Sequence, residues 1–155
     1  MRRTRRNDSD DLAAFVARAQ AELRPALAGR YGVHGSEDAV AIALAYAWEH
    51  WTEISVMANP LGYLYRVAQS GMRERRQGHL PSPIELGIPD MEPGLIPALQ
   101  QLPLTQRTAV WLVHGCGWSY ADAASALDVS ASTLGTHVAR GLQGLRDALE
   151  VSTDA

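Results

Sequence analysis

The chain has 155 residues, 46% hydrophobic and 20% charged, which suits one ordinary domain or two small ones and excludes a disordered tail. Its longest unbroken apolar run, Ala39 to Trp48, is ten residues where a membrane span needs about 20, and the N-terminal Arg cluster runs into Asp8, Asp10 and Asp11 where a signal peptide needs an apolar stretch, so a cytoplasmic protein with no membrane partner is expected. A lone cysteine, Cys116, excludes an internal disulfide and a thiolate zinc cluster, and a net charge of -3 argues against indiscriminate coating of nucleic acid.

A first helix is expected from Ser9 as N-cap, with Leu12, Phe15, Val16, Ala19 and Leu23 at helical spacing. Pro25 kinks it or starts a new turn, and Gly29 can end it. The next segment, Ser36 to Met57, alternates like a strand at Val40, Ile42, Leu44, Tyr46 and Trp48. The interleaved Ala and the N-terminal Ser36, Glu37 and Asp38 favour a helix. This part is acidic: residues 31 to 65 carry four acids and no Arg. A third helix follows Asn59 as N-cap, with Pro60 at its first position, and ends in the basic run Met72 to Arg76.

From Gly78 to Pro97, Pro81, Pro83, Pro89, Pro93 and Pro97 alternate with Gly78, Gly87 and Gly94, a density that defeats helix and sheet alike. The expected organisation is therefore all-α. One small domain spans 1–77, the linker is 78–93, and a second small domain covers 94–155.

Beyond the linker, Leu102 to His114 reads as a helix stopped by Gly115. Ser119 with Asp122 three residues on resembles a capping box that opens a small-residue helix through Leu127. Asp128 and Val129 make a turn, and Ser130 caps a last helix to about Leu149. Two helices joined by so short a turn form a helix-turn-helix candidate. On the second of them Leu134, Val138, Leu142, Leu145 and Leu149 share one arc. Ser132, Thr133, Thr136, His137 and Arg140 share the facing arc, where hydroxyls, imidazole and guanidinium can reach phosphates and base edges. The same pattern also describes a solvated amphipathic helix.

The stretch Leu102 to Arg146 resembles the fourth region of bacterial sigma factors of the extracytoplasmic-function class. The resemblance rests on Leu102-Pro103, Arg107, Gly117-Trp118-Ser119-Tyr120, Val129-Ser130, Thr133-Leu134, Arg140 and Leu145-Arg146. Upstream, Ser36 to Trp51 followed by Asn59 to Arg76 resembles the second region of that class. The resemblance implies a non-enzymatic initiation factor with no cofactor, whose partners are core RNA polymerase and promoter DNA, with an anti-sigma factor as a further candidate. It places Arg73, Arg75 and Arg76 along the strands at the minus-10 element and the polar arc of the last helix at the minus-35 element. Glu37, Asp38, Trp48 and Glu49 would face the polymerase clamp.

Ala41, Ser70 and Gly135 depart from the family pattern and motivate a second reading, a degenerate sigma-like regulator. The acidic C-terminal part motivates a third, a helical interaction module. No other residues show catalytic or metal-ligand spacing. His114 beside Cys116 lacks an acid partner, and His34, His50 and His79 are scattered. Trp48, Trp51 and Trp111 read as core residues by type.

Overall fold

A computed structural model describes residues 2–75 and 94–153; the expected linker, 78–93, lies outside the described residues. All regular structure among the described residues is helical. Helix α1, Arg2–Glu49, is two helices meeting at Gly32, whose φ of 73° and ψ of 178° fall in a region open essentially to glycine alone. The first of the two begins at Arg2, so Ser9 is not its cap. It also runs through Pro25 and past Gly29. Leu12, Phe15, Ala19, Leu23, Ala26 and Leu27 form one buried stripe across Pro25, and that burial outweighs the roughly 3 kcal/mol cost of an internal proline.

Because the chain turns at Gly32, Ser36 already lies inside the second helix. Its buried hydroxyl donates to the Val33 carbonyl at 2.6 Å and does not cap the helix as expected. This helix buries Ala39, Val40, Ala43 and Ala47 and ends at Glu49, short of the expected Met57. His50 leaves helical geometry at φ -120°, its ring stacked on Tyr46. The short α2, Trp51–Ile54, then tucks Ile54 into the core. The third helix, α3 (Pro60–Arg75), starts as expected, with the Asn59 side-chain oxygen accepting from the Gly62 N–H at 2.9 Å. Leu64, Tyr65, Ala68 and Met72 are buried, and α3 packs along α1.

Pro97 does not prevent a helix. It sits in the first turn of α4, Leu95–Gln101, where a missing N–H breaks no intrahelical bond. The helix expected from Leu102 begins two residues later as α5, Leu104–Val110, because Leu102 precedes Pro103 and is held extended at ψ 145°. It continues into a π-helical turn, Trp111–Gly115. Helix α6, Tyr120–Leu127, and helix α7, Ala131–Thr153, complete the chain, α7 running past the expected end at Leu149.

Helices α4 and α5 pack on α7, and α6 lies between α3 and α7. One apolar cluster runs from Leu23 and Tyr65 through Leu112 and Ala124 to Leu134 and Val138, so it spans both sides of residues 78–93. A second cluster joins Leu99, Leu102, Val110, Trp111 and Leu145.

The caps in the C-terminal part are local and independent. The Ser119 hydroxyl accepts from the Asp122 N–H and the Ser130 hydroxyl from the Thr133 N–H, each at 3.0 Å. Ser119→Ala and Ser130→Ala should each lower stability by about 1 kcal/mol, read as a shift in the urea midpoint without loss of helical circular dichroism in the native protein.

Candidate nucleic-acid interface

The turn between α6 and α7 is built from three consecutive residues, Asp128, Val129 and Ser130. Asp128 takes the left-handed conformation at φ 55° and ψ 46°, and its N–H bonds back to the carbonyls of Ala124 and Ser125. Val129 N–H also returns to Ala124 at 3.0 Å, which satisfies carbonyls that the end of α6 would leave open. Ser130 then caps α7. So tight a turn makes the two helices a helix-turn-helix pair, with α7 the second, outward-facing helix.

Helix α7 divides as its sequence pattern predicts. Leu134 and Val138 are 0% and 2% exposed, while Ser132, Thr133, Thr136 and Arg140 are exposed and His137 is half-buried. Some of the hydroxyl capacity is used locally: Thr136 donates to the Ser132 carbonyl at 3.2 Å, and Thr133 accepts from the Ser130 hydroxyl at 2.9 Å. The remaining lone pairs and the Arg140 side chain are exposed to solvent, and the His137 imidazole is only partly so. A Cβ at Gly135 would meet nothing within 4 Å, so the polar face is open there.

On α3, Arg73 is exposed, Arg75 is the last helical residue, and Arg76 lies outside the described residues. The sequence reading missed Arg66, seven residues before Arg73 and therefore on the same face of α3. Its guanidinium lies 5.9 Å from the ring centre of Tyr63 and 3.6 Å from the Asp128 carboxylate. Tyr63 in turn shares a 3.0 Å hydrogen bond with Tyr46, and this contact is the main reason the Tyr46 phenol is pushed above its ordinary pKa. The seven-residue spacing of the two Arg was the available signal.

On the outer face of α1, Asp38, Ala41, Ala45, Trp48 and Glu49 are exposed together. Trp48, at 66% exposed, is thus not a core residue, whereas Trp51 packs against Phe15 and Trp111 is buried. Glu37 is on the same helix but is engaged by Arg24 at 2.9 Å, across the break at Gly32. Burial pushes the Cys116 thiol up to about 11, so at neutral pH it is a thiol and a poor nucleophile. Among the described residues no three His, Cys, Asp or Glu gather as a metal site, and no helix is long and apolar enough to cross a membrane.

Residues 95–145 match the family described as Sigma-70, region 4. No curated protein matches the chain. The sigma factor RpoE from Bartonella quintana, solved with the anti-sigma factor NepR, is similar over 92% of this chain and 96% of its own, at 24% identity and a TM-score of 0.66. CnrH, solved with the cytosolic domain of CnrY, is similar over 92% of this chain and 90% of its own, at 19% identity and a TM-score of 0.68. The capped helix-turn-helix thus lies within the segment that matches sigma-70 region 4, and the chain as a whole shares the helical fold of these two proteins.

Proposed function

We propose that the chain recruits core RNA polymerase in the cytoplasm and starts transcription at bipartite promoters, with α7 reading the minus-35 element and α3 lying along the minus-10 element. The outward polar face of α7 carries this reading: Ser132, Thr133, Thr136 and Arg140 are exposed and His137 is half-buried beside them, while Leu134 and Val138 hold the helix in place. The groups assigned to the minus-10 element are Arg73 and Arg75 of α3 and Arg76, which follows in sequence beyond the described residues. The polymerase surface is the outer face of α1 with Asp38, Trp48 and Glu49, and Glu37 at its edge. RpoE and CnrH were each solved with a partner, the former with an anti-sigma factor, and we extend such a partner to this chain.

Residues 107 to 155 carry three Arg against five acids, so region 4 alone neutralises few phosphates and binds DNA weakly. Polymerase must supply the rest by holding both DNA-reading parts on one duplex. Run-off transcription with purified core polymerase on DNA selected by the holoenzyme tests the reading. Arg140→Ala should cost about 1 to 3 kcal/mol of promoter affinity and change folding stability by no more than about 0.5 kcal/mol, as befits an exposed side chain. Val138→Ala should show the reverse, losing about 2 kcal/mol of stability and affecting DNA only through unfolding. Holoenzyme that binds the DNA but yields no transcript would favour the degenerate regulator that Ala41, Ser70 and Gly135 suggest.

For the polymerase face, Asp38→Lys and Glu49→Lys together should weaken capture of core polymerase several-fold in a pull-down while helical circular dichroism stays unchanged. Asp38 is a cleaner probe than Glu37, whose reversal would also break the pair with Arg24. Unchanged capture would move the contact off this face.

The division into 1–77, 78–93 and 94–155 is part of the same proposal, since two promoter elements need two separable readers. Limited proteolysis should cut first between Gly78 and Gly94. First cuts between Glu37 and Trp51 would overturn the division.

A further inference from the structure

A cleft of about 340 Å³ opens where α1, the start of α3 and the approach to α6 converge, and the function just described makes no use of it. That volume is at the small end of ligand sites, which run from roughly 300 to 1,000 Å³, so it suits one compact molecule and not a folded partner. Ala21 and Pro25, four residues apart on one face of α1, join Leu61 and the Trp118 ring to give the cleft its apolar surface.

The walls are held in place by contacts within the protein. Trp118 N–H donates to the Leu112 carbonyl and Cys116 N–H to that of Trp111, both at 2.9 Å. The Trp118 ring is steadied edge-on against the buried Tyr65, with ring centres 5.9 Å apart. Asn59 and Ser119, which also line the cleft, are fixed by capping α3 and α6. Gly117 takes a φ of 71°, with no atom within 4 Å of the place a Cβ would fill, so nothing packs over the loop there.

Charge in the cleft is one-sided. Glu22 of α1 and Asp122 of α6 bring carboxylates to it from distant parts of the sequence, and no Arg or His is among its described lining residues. Among the described residues neither carboxylate is held in an ion pair. An anionic ligand would be repelled here. An ammonium group gains two carboxylate partners beside a Trp ring, the best aromatic platform for a cation. Burial keeps the Cys116 thiol protonated, so it adds a neutral wall and no covalent capture. We propose that this cleft is a binding site for a small free organic amine, its ammonium drawn to Glu22 and Asp122 and its apolar body resting on Leu61 and Trp118.

Phenethylamine, phenethyl alcohol and phenylacetate share one body and differ in charge, which makes them the probes. Each is titrated into the full chain at neutral pH and low salt, where exposed carboxylates are least screened, with binding read by ligand-observed NMR. The amine should bind several-fold more tightly than the alcohol, and phenylacetate most weakly. Saturating amine should raise the melting temperature, since it binds only the folded chain. Glu22→Gln and Asp122→Asn should each weaken the amine several-fold and leave the alcohol unchanged, whereas a purely structural role for these carboxylates would shift both alike. Ala21→Leu fills the cleft from an exposed helical position and should abolish binding of both with the melting temperature of the free protein retained. Equal affinity for amine and alcohol, or no binding of the amine, would overturn the proposal. So would amine binding that survives Ala21→Leu, or a preference for the amine that survives both carboxylate variants.

Discussion

A single missing side chain determines how the two parts of this protein meet. At Gly29 the backbone of α1 is bare, and the Trp111 indole rests against it within hydrogen-bonding distance of the Pro25 carbonyl one turn earlier. Any β-carbon there would push the ring, and everything clustered around it, away from α1. With Trp111 in place, α6 lands on α3, Trp118 reaches Tyr65, and Asp128 comes within 3.6 Å of Arg66. The last pair is exposed and adds little energy by itself. The aromatic contacts and the apolar cluster they join supply the cohesion.

Helix α7, the proposed recognition helix, is secured by a different and mostly local logic. Ser119, Asp128 and Ser130 cap and turn the chain through hydrogen bonds to residues no more than five positions away, so the angle between α6 and α7 is encoded within about a dozen residues. What seats the pair on the rest of the domain is close helix contact. A Cβ at Gly141 would stand 2.5 Å from Val110 of α5, so α5 can approach α7 closely there. Rigid seating matters for a DNA reader, because side chains that must match base edges lose discrimination if their helix tilts.

The N-terminal part shows how a break can serve a surface. At Gly32 the chain leaves helical geometry, and Arg24 before the break reaches Glu37 after it. The second half of α1 then buries its Ala and Val face and turns Asp38, Trp48 and Glu49 outward. Trp48 is exposed beside these acids, so it belongs to the proposed polymerase face rather than to the core aromatics.

Much of this was legible in the sequence because it is set by neighbours along the chain. The Ala-rich composition, the Asn59-Pro60 start of α3, the Ser119 and Ser130 caps, the left-handed Asp128 and the apolar and polar arcs of α7 all follow from propensity, capping and a 3.6-residue period. Helix limits read the same way failed where burial outweighed local preference. Pro25 lies inside a helix because Leu23 and Leu27 are buried on either side, the same helix runs on past Gly29, Pro97 is absorbed into a first turn, and Ser36 is part of a helix that Gly32 had already begun. The pairing of Arg66 with Asp128 and the contact of Trp111 with Pro25 join residues 62 and 86 positions apart. Such contacts depend on which surfaces meet after the helices form, and no periodicity along the chain records that, so they were decided by the tertiary structure alone.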